Sequence, residues 1–310
     1  MSGGNTSMCA FAYPGGSTPG RRRASSTTIS PNGSGGNTAK LTRSEYRPVD
    51  AGFAIAPAVS VVIPCKNEAR NLPIVFATLP EWISEVVLVD GQSVDDTVVV
   101  AKECYPEIKI VHQVGAGKGD ALRAGFAACT GDIIVMIDGD GSTDGDEIIR
   151  FVAALLAGAD YAKGSRFASS GGSDDITWHR RLGNRVLCGM VNVALGTRYT
   201  DLCYGYNAFW SRVLPELHLD CLGFEIETMM NIRAARAGLR IQEIPSHEKC
   251  RVHGTSNLRV VFDGWRIFKV IAAETRAHRR SRPRVRRAAT TPDTELSVPS
   301  VPVTADMSKD

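Results

Sequence analysis

The sequence predicts an α/β domain built on a mostly parallel, doubly wound central sheet, and three observations carry that expectation. From Val59 onward short β-branched runs alternate with helix-like stretches, the pattern of a sheet with helices on both faces. The apolar run Ile133–Ile137 stops abruptly at Asp138-Gly-Asp140, as a buried strand does when it delivers polar side chains to a sheet edge. With 310 residues, 43% hydrophobic and 22% charged, the chain has material for one large α/β domain with tails, or for two small domains.

Residues 1–57 are rich in Gly, Ser, Thr, Asn and Pro, enclose Arg21-Arg22-Arg23 and lack hydrophobic periodicity, so they are expected to be a disordered tail. Strands are expected at Val59–Ile63, Glu85–Val89, Ile108–Val111 and Ile133–Ile137. Polar punctuation follows the first two, Pro64-Cys-Lys-Asn67-Glu68 and Asp90-Gly-Gln-Ser93-Val-Asp-Asp96, and gathers at one edge. Asp95 or Asp96 can cap the helix that follows, and Thr143 or Asp144 the helix containing Glu147–Leu156. The domain is expected over 58–276, divided at 157/158 into two halves, the second with weaker strand signals and more Arg, Tyr and Trp. Its last segment, Leu258–Ile271, is amphipathic and aromatic and precedes a crowd of arginines from Arg276 to Arg287; it reads as a helix lying on an anionic membrane or as a core helix before a solvated basic tail. Residues 277–310 are expected to be basic and disordered.

A formal charge of +3 is too small to argue for a nucleic-acid partner. Eight scattered cysteines without a C-x-x-C pair fit free thiols in a reducing compartment better than a disulfide framework. No run approaches the roughly 18 apolar residues of a membrane span, and the N-terminus lacks a signal-peptide core. The chain is therefore expected to be cytoplasmic, with peripheral contact at a membrane surface left open.

Asp138 and Asp140 offer hard oxygen ligands, which suit Mg²⁺ or Mn²⁺, ions that keep waters and take further ligands from substrate phosphates. Asp-x-Asp alone arises about once by chance in such a chain, so it needs companions. A calcium loop starting at Asp140 is excluded, because the position requiring a bidentate Glu is Phe151 and a strand precedes the loop.

The companions are Val-Val-Ile-Pro64-Cys-Lys-Asn67-Glu68, Val-Asp90-Gly-Gln-Ser93, and Gly117-Lys118-Gly119 with the apolar helix after it. In this order, with Asp138-Gly-Asp140, they resemble the nucleotide-sugar domain of glycosyltransferase family 2, the GT-A fold. The resemblance implies that Pro64, Asn67, Glu68, Asp90 and Ser93 hold base and ribose, that Asp138 and Asp140 address metal and diphosphate, and that Lys118 faces the nucleotide. A divalent cation would offset the diphosphate charge and stabilise the departing nucleoside diphosphate.

Downstream, Lys163-Gly-Ser-Arg166, Arg181-Leu-Gly-Asn-Arg185, Asp201–Phe209, Gly223-Phe-Glu225-Ile-Glu227 and Arg251-Val-His253 resemble the polyprenyl-phosphate sugar synthases, the dolichol-phosphate mannose synthase branch. Two departures limit the resemblance: Asp90-Gly-Gln-Ser93 stands for the relatives' Asp-Asp-Gly-Ser, and Asn257 for a Lys, the second of which leaves the acceptor open. Arg166, Arg181 and Arg251 are candidates for an acceptor phosphate, since guanidinium forks match phosphate and stay charged. His253 is read as an ordinary loop residue.

The expected function is an inverting transfer of a hexose from a GDP-mannose or UDP-glucose type donor to a polyprenyl phosphate at the cytoplasmic membrane face. Asp140 is the leading catalytic candidate. If the acceptor is instead a soluble or glycan hydroxyl, a carboxylate must take its proton, and Glu225 or Glu227 stands in the right segment. A third reading is a nucleotide-sugar-binding module without turnover, against which Asp138, Asp140 and Lys118 argue.

Overall fold

The computed structural model describes residues 56–255 and 259–281. In chain order the first half forms β1 (Val59–Cys65), α1 (Leu72–Ala77), β2 (Glu85–Asp90), α2 (Thr97–Cys104), β3 (Lys109–His112), α3 (Lys118–Ala128), β4 (Ile133–Met136) and α4 (Ile148–Leu156). The second half forms β5 (Tyr161–Ser165), β6 (Gly172–Ser173), α5 (Trp178–Leu195), β7 (Asn207–Trp210), α6 (Leu214–Leu217), α7 (Ile226–Arg236), β8 (Ile241–Pro245), β9 (His247–Glu248) and α8 (Val260–Ser281).

Seven strands make one sheet in the order β3-β2-β1-β4-β7-β5-β8, and β6 pairs with β9 beside it. All pairings in the large sheet are parallel except those of β7, which runs against both β4 and β5. Strand residues alternate between two buried layers, as a two-residue period requires. On β1, Val59, Val61 and Ile63 join the layer that includes Val75 of α1, Ala101 of α2 and Phe151 of α4, while Val62 joins Leu122 of α3 and Met230 of α7. Each such fully buried Val or Ile contributes about 1.5–3 kcal/mol. A third cluster, with Val191, Ile232 and Ile271, fastens α5, α7 and α8 together.

The four expected strands are present within a residue or two of their expected ends. Asp95, not Asp96, makes the side-chain turn before α2, accepting from the Thr97 backbone N–H at 3.1 Å, and Asp144 accepts from Asp146 N–H before α4. The amphipathic segment is helical and runs on to Ser281, five residues past the expected boundary at 276. The expected disorder of 1–57 and 277–310 otherwise lies outside the described residues, apart from Ala56 and Pro57. All seven described cysteines are free thiols.

Counting outward from β1 and β4, the strand order reverses between them, and in open α/β sheets that switch point leaves a crevice beyond the carboxyl ends of the strands. Pro64–Glu68 after β1 and Asp138–Asp140 after β4 stand at its two lips.

Candidate active site

A cavity of about 560 Å³ opens at this crevice and extends between α5 and α8. Pro64, Glu68, Lys118, Asp138, Asp140, Arg166, Glu227 and Arg251 all line it. Asn67, Asp90, Ser93, Arg181 and Glu225 do not.

The donor-side loops are locked to each other. Asn67 has a left-handed backbone (φ 58°); its N–H donates to Ser93 Oγ at 2.9 Å and its Oδ1 accepts from Val94 N–H at 2.8 Å. Asp90 is buried, accepts from Ser93 N–H at 3.1 Å, and lies 3.5 Å from His112 Nδ1. Asn67 Oδ1 and Ser93 Oγ thus hold the β1 and β2 loops together, and Gly91 and Gln92 line the cavity. Neither Asn67 nor Ser93, expected from the resemblance at base and ribose, is among the residues that line the cavity.

Lys118 opens α3 against the backbone of residues 221–223. Gly117 has φ +93°, and a Cβ there would sit 2.2 Å from Leu222 O; at Gly119 one would meet Cys221 O at 2.6 Å. Only glycines permit that approach. It places Lys118 Nζ 2.6 Å from Asp138 Oδ1 and 2.7 Å from Glu227 Oε1. Burial works against the Lys118 charge, but the two carboxylates outweigh it and hold the ammonium pKa above its ordinary value. Burial pushes the Glu227 carboxyl up, against the pull of Lys118. Lys118 is therefore a tie between the donor half and the acceptor half, which the sequence reading had facing only the nucleotide.

On the other lip, Asp140 Oδ1 accepts from Ser142 N–H and Oγ–H, and its Oδ2 accepts from Arg251 at 2.8 Å. Arg251 also donates to Glu68 at 2.9 Å, so one guanidinium bridges both lips. Burial raises the Glu68 carboxyl pKa, with Asn71 and Arg251 opposing. Asn71 further clasps the His253 backbone, donating to its carbonyl at 3.1 Å and accepting from its N–H at 3.1 Å.

The remaining arginines differ from expectation. Arg166 is buried and bonds Asp201 through Nε and Nη2 and Glu248 through Nη1, with Asp201 Oδ2 at 2.7 Å. Its charge is balanced by Asp201 and Glu248 where it lines the cavity. Arg181 is exposed and stacks 5.4 Å over Phe167, outside the cavity, whereas Arg180 lines it. Glu225 is buried against Arg266 at 2.7 Å and Gly223 N–H and does not line the cavity, whereas Glu227 does.

The structure adds residues the sequence reading passed over. Gln113 comes directly after β3, at the sheet end where Asp90 closes β2, and its Nε2 donates to Gly117 O and Asp120; the strand-end rule that singles out Asp90 also finds it. Asp201 and Glu248 carry no local signal, since their partner is Arg166, 35 and 82 residues away.

Every carboxylate lining the cavity is paired to a cation: Asp138 and Glu227 to Lys118, Asp140 and Glu68 to Arg251, Glu248 to Arg166, and Asp175 to Arg180. Among the described residues no three His, Cys, Asp or Glu side chains converge on a metal position. Among the described residues Asp138 and Asp140 are the carboxylates the strand end offers, a donor set that fits Mg²⁺ or Mn²⁺ completed by water and diphosphate oxygens.

A switch-point crevice with an acidic pair on one lip and a Gly-Lys-Gly helix start beside it defines a GT-A transferase domain. The chain belongs to glycosyl transferase family 2, whose model matches residues 60–218, just over half of its length; it is a glycosyltransferase. It is 31% identical over 220 residues to an uncharacterised glycosyltransferase of Mycobacterium tuberculosis, covering 68% of this chain and 98% of that one. It is 30% identical over 198 residues to the polyprenol monophosphomannose synthase of Mycolicibacterium smegmatis, covering 60% and 75%. Among solved structures it resembles glucosyl-3-phosphoglycerate synthase of M. tuberculosis, in complex with Mn²⁺, UDP and glucosyl-3-phosphoglycerate, at TM-score 0.57 and 22% identity, over 71% of this chain and 80% of that one.

Proposed function

We propose that this chain transfers a hexose from a nucleoside-diphosphate sugar to a polyprenyl phosphate, with inversion, at the cytoplasmic face of a membrane. The observation that carries the reading is the pairing of all six cavity carboxylates with Lys or Arg. A hydroxyl acceptor needs a free base to take its proton. A phosphate monoester is already anionic near neutrality and needs orientation more than a base. The likeness to a polyprenol monophosphomannose synthase supports the same acceptor class.

In this reading Asp138 and Asp140 hold Mg²⁺ or Mn²⁺, in keeping with the Mn²⁺ and UDP of the structural relative. The cation supplies charge compensation to the diphosphate leaving group. Asp140 must exchange Arg251 for it, which frees that guanidinium to meet phosphate oxygens. Lys118 holds Asp138 and Glu227 together on one side of the site. Gly91, Gln92 and the Pro64 loop shape the base pocket over the buried Asp90.

A soluble phosphorylated acceptor is the second reading, because it too would arrive with an anionic group. The test is incubation of purified protein with Mn²⁺ or Mg²⁺, radiolabelled UDP- and GDP-sugars and polyprenyl phosphate in detergent. Metal-dependent label in the organic phase is expected. Donor binding without such label would move the acceptor to the aqueous phase.

A further inference from the structure

Among the described residues, half of the exposed large hydrophobic side chains lie on just two helices, α5 and α8. On α5, Trp178, Leu182, Val186 and Val193 fall on one stripe opposite the buried Asn184, Cys188 and Val191, with Trp178 76% and Val193 88% exposed. On α8, Val261, Phe262, Trp265 and Phe268 face away from the buried Asp263, Ile267 and Ile271, and the Trp265 and Phe268 rings stack at 5.3 Å. Of the exposed tryptophans and phenylalanines described, only Trp82 lies elsewhere. The two helices share the cluster of Val191 and Ile271, so their outward faces adjoin.

The charges on these faces have one sign. Arg181, Arg185, Lys269, Arg276 and Arg280 are exposed, and α5 contains no Asp or Glu at all. The two acids of α8 are turned inward: Asp263 is 6% exposed, and Glu274, 7% exposed, is paired to Arg233 and Arg236. Ordinary solvated helices mix both signs; on α5 and α8 themselves every exposed charged side chain described is a cation, the composition of a surface that lies on anionic lipid, and Asp175 just before α5 is paired to Arg180. The same two helices form the far end of the cavity, through Gly183 and Leu187 of α5 and Gly264 and Ile267 of α8.

We infer that the outward faces of α5 and α8 together form a docking surface for an anionic lipid bilayer, which sets the α5/α8 end of the cavity against the membrane so that a lipid acceptor enters sideways. Among the described residues no helix is long and apolar enough to cross a membrane, so in this region attachment is by surface area and charge. The meaning of the docking rests on the lipid-phosphate reading above; its physical test does not.

The test uses the full chain with vesicles of phosphatidylcholine, with and without phosphatidylglycerol, and neither donor nor acceptor. Co-sedimentation with the anionic vesicles is expected, lost at high salt, with tryptophan fluorescence quenched by brominated lipid. Trp178→Glu/Trp265→Glu should weaken partitioning at least about tenfold. Val99→Glu, an exposed apolar residue of α2, should not change it, and thermal melts should show both variants folded. Transfer to a short-chain, water-soluble acceptor phosphate should persist in the double tryptophan variant. Absence of vesicle binding by the wild type, or equal binding by the double variant, would overturn the inference. So would a dimer in light scattering that the double variant dissolves while vesicles go unbound, since that gives the face to a second copy. Transfer in detergent without vesicle binding would defeat the surface and leave the function; vesicle binding without transfer to any lipid phosphate would do the reverse.

Discussion

Replacing Lys118 by Met should destabilise the fold in a pH-dependent way. Its side chain is 13% exposed and lies within 2.7 Å of two carboxylates, of which Glu227 is 5% and Asp138 28% exposed. Removing one partner of a buried ion pair costs about 3–5 kcal/mol, because the charge left behind has lost its compensation. Water can reach Asp138, so the lower end, about 3 kcal/mol, is expected at pH 8. Burial already raises the Glu227 pKa in the folded state, so the folded protein holds that proton to higher pH than the unfolded chain. Stability therefore falls as pH rises from the ordinary carboxylate range through the raised value. Without Lys118 that window extends further upward, because the buried carboxylate has lost the charge that opposed its desolvation. Urea unfolding at pH 5 and pH 8 reads this directly: the deficit should be small at pH 5 and full at pH 8, and Lys118→Met/Glu227→Gln should recover most of it. A deficit below about 1 kcal/mol at pH 8, or one equal at both pH values, would refute the reasoning.

Three further outcomes are expected. Arg166→Met should cost about 3–5 kcal/mol at neutral pH by denaturation, since it strands buried Asp201. Although burial opposes it, Arg166 holds the Asp201 pKa below the usual range, so in the wild type this contribution is present above the unfolded carboxylate pKa and fades only as pH falls through the depressed value. Asp140→Asn should lower metal-dependent transfer more than about a hundredfold with an unchanged thermal midpoint, and undiminished activity at saturating donor would remove the metal assignment. Gly117→Ala should cost at least about 2 kcal/mol, from its left-handed backbone and the Leu222 carbonyl in the path of a Cβ, measured by the same urea titration.

The first half was legible because its strands are β-branched runs that end in polar residues, so hydropathy marks both the strand and the edge where chemistry collects. The second half hid its strands. β5 reads Tyr-Ala-Lys-Gly-Ser and buries Lys163 completely, a residue no hydropathy rule places in a central strand. Lys163 is tolerated because its ammonium donates to the Gly164 carbonyl at 2.9 Å and Glu243 lies 3.7 Å away on β8, a partner 80 residues distant. Arg166 is a parallel case: a guanidinium suited to phosphate is equally suited to Asp201, and only tertiary structure brings the two together. Between Glu225 and Glu227 the choice turned on orientation at the start of α7, one aimed at Arg266 and the other into the cavity, two residues apart.

The reversed strand β7 has a consequence for how the protein is made. β5 precedes β7 in the chain, yet it reaches β4 only through β7, and Met136 finds its partner only when Asn207 arrives. As the polypeptide leaves the ribosome, the donor-side strands can assemble early, but β4 then waits with its apolar edge unpaired while all of α4, β5 and α5 are synthesised. An open, hydrophobic strand edge invites pairing with other chains. The 71-residue separation of Met136 and Asn207 thus sets how long that edge stays open while the chain is made.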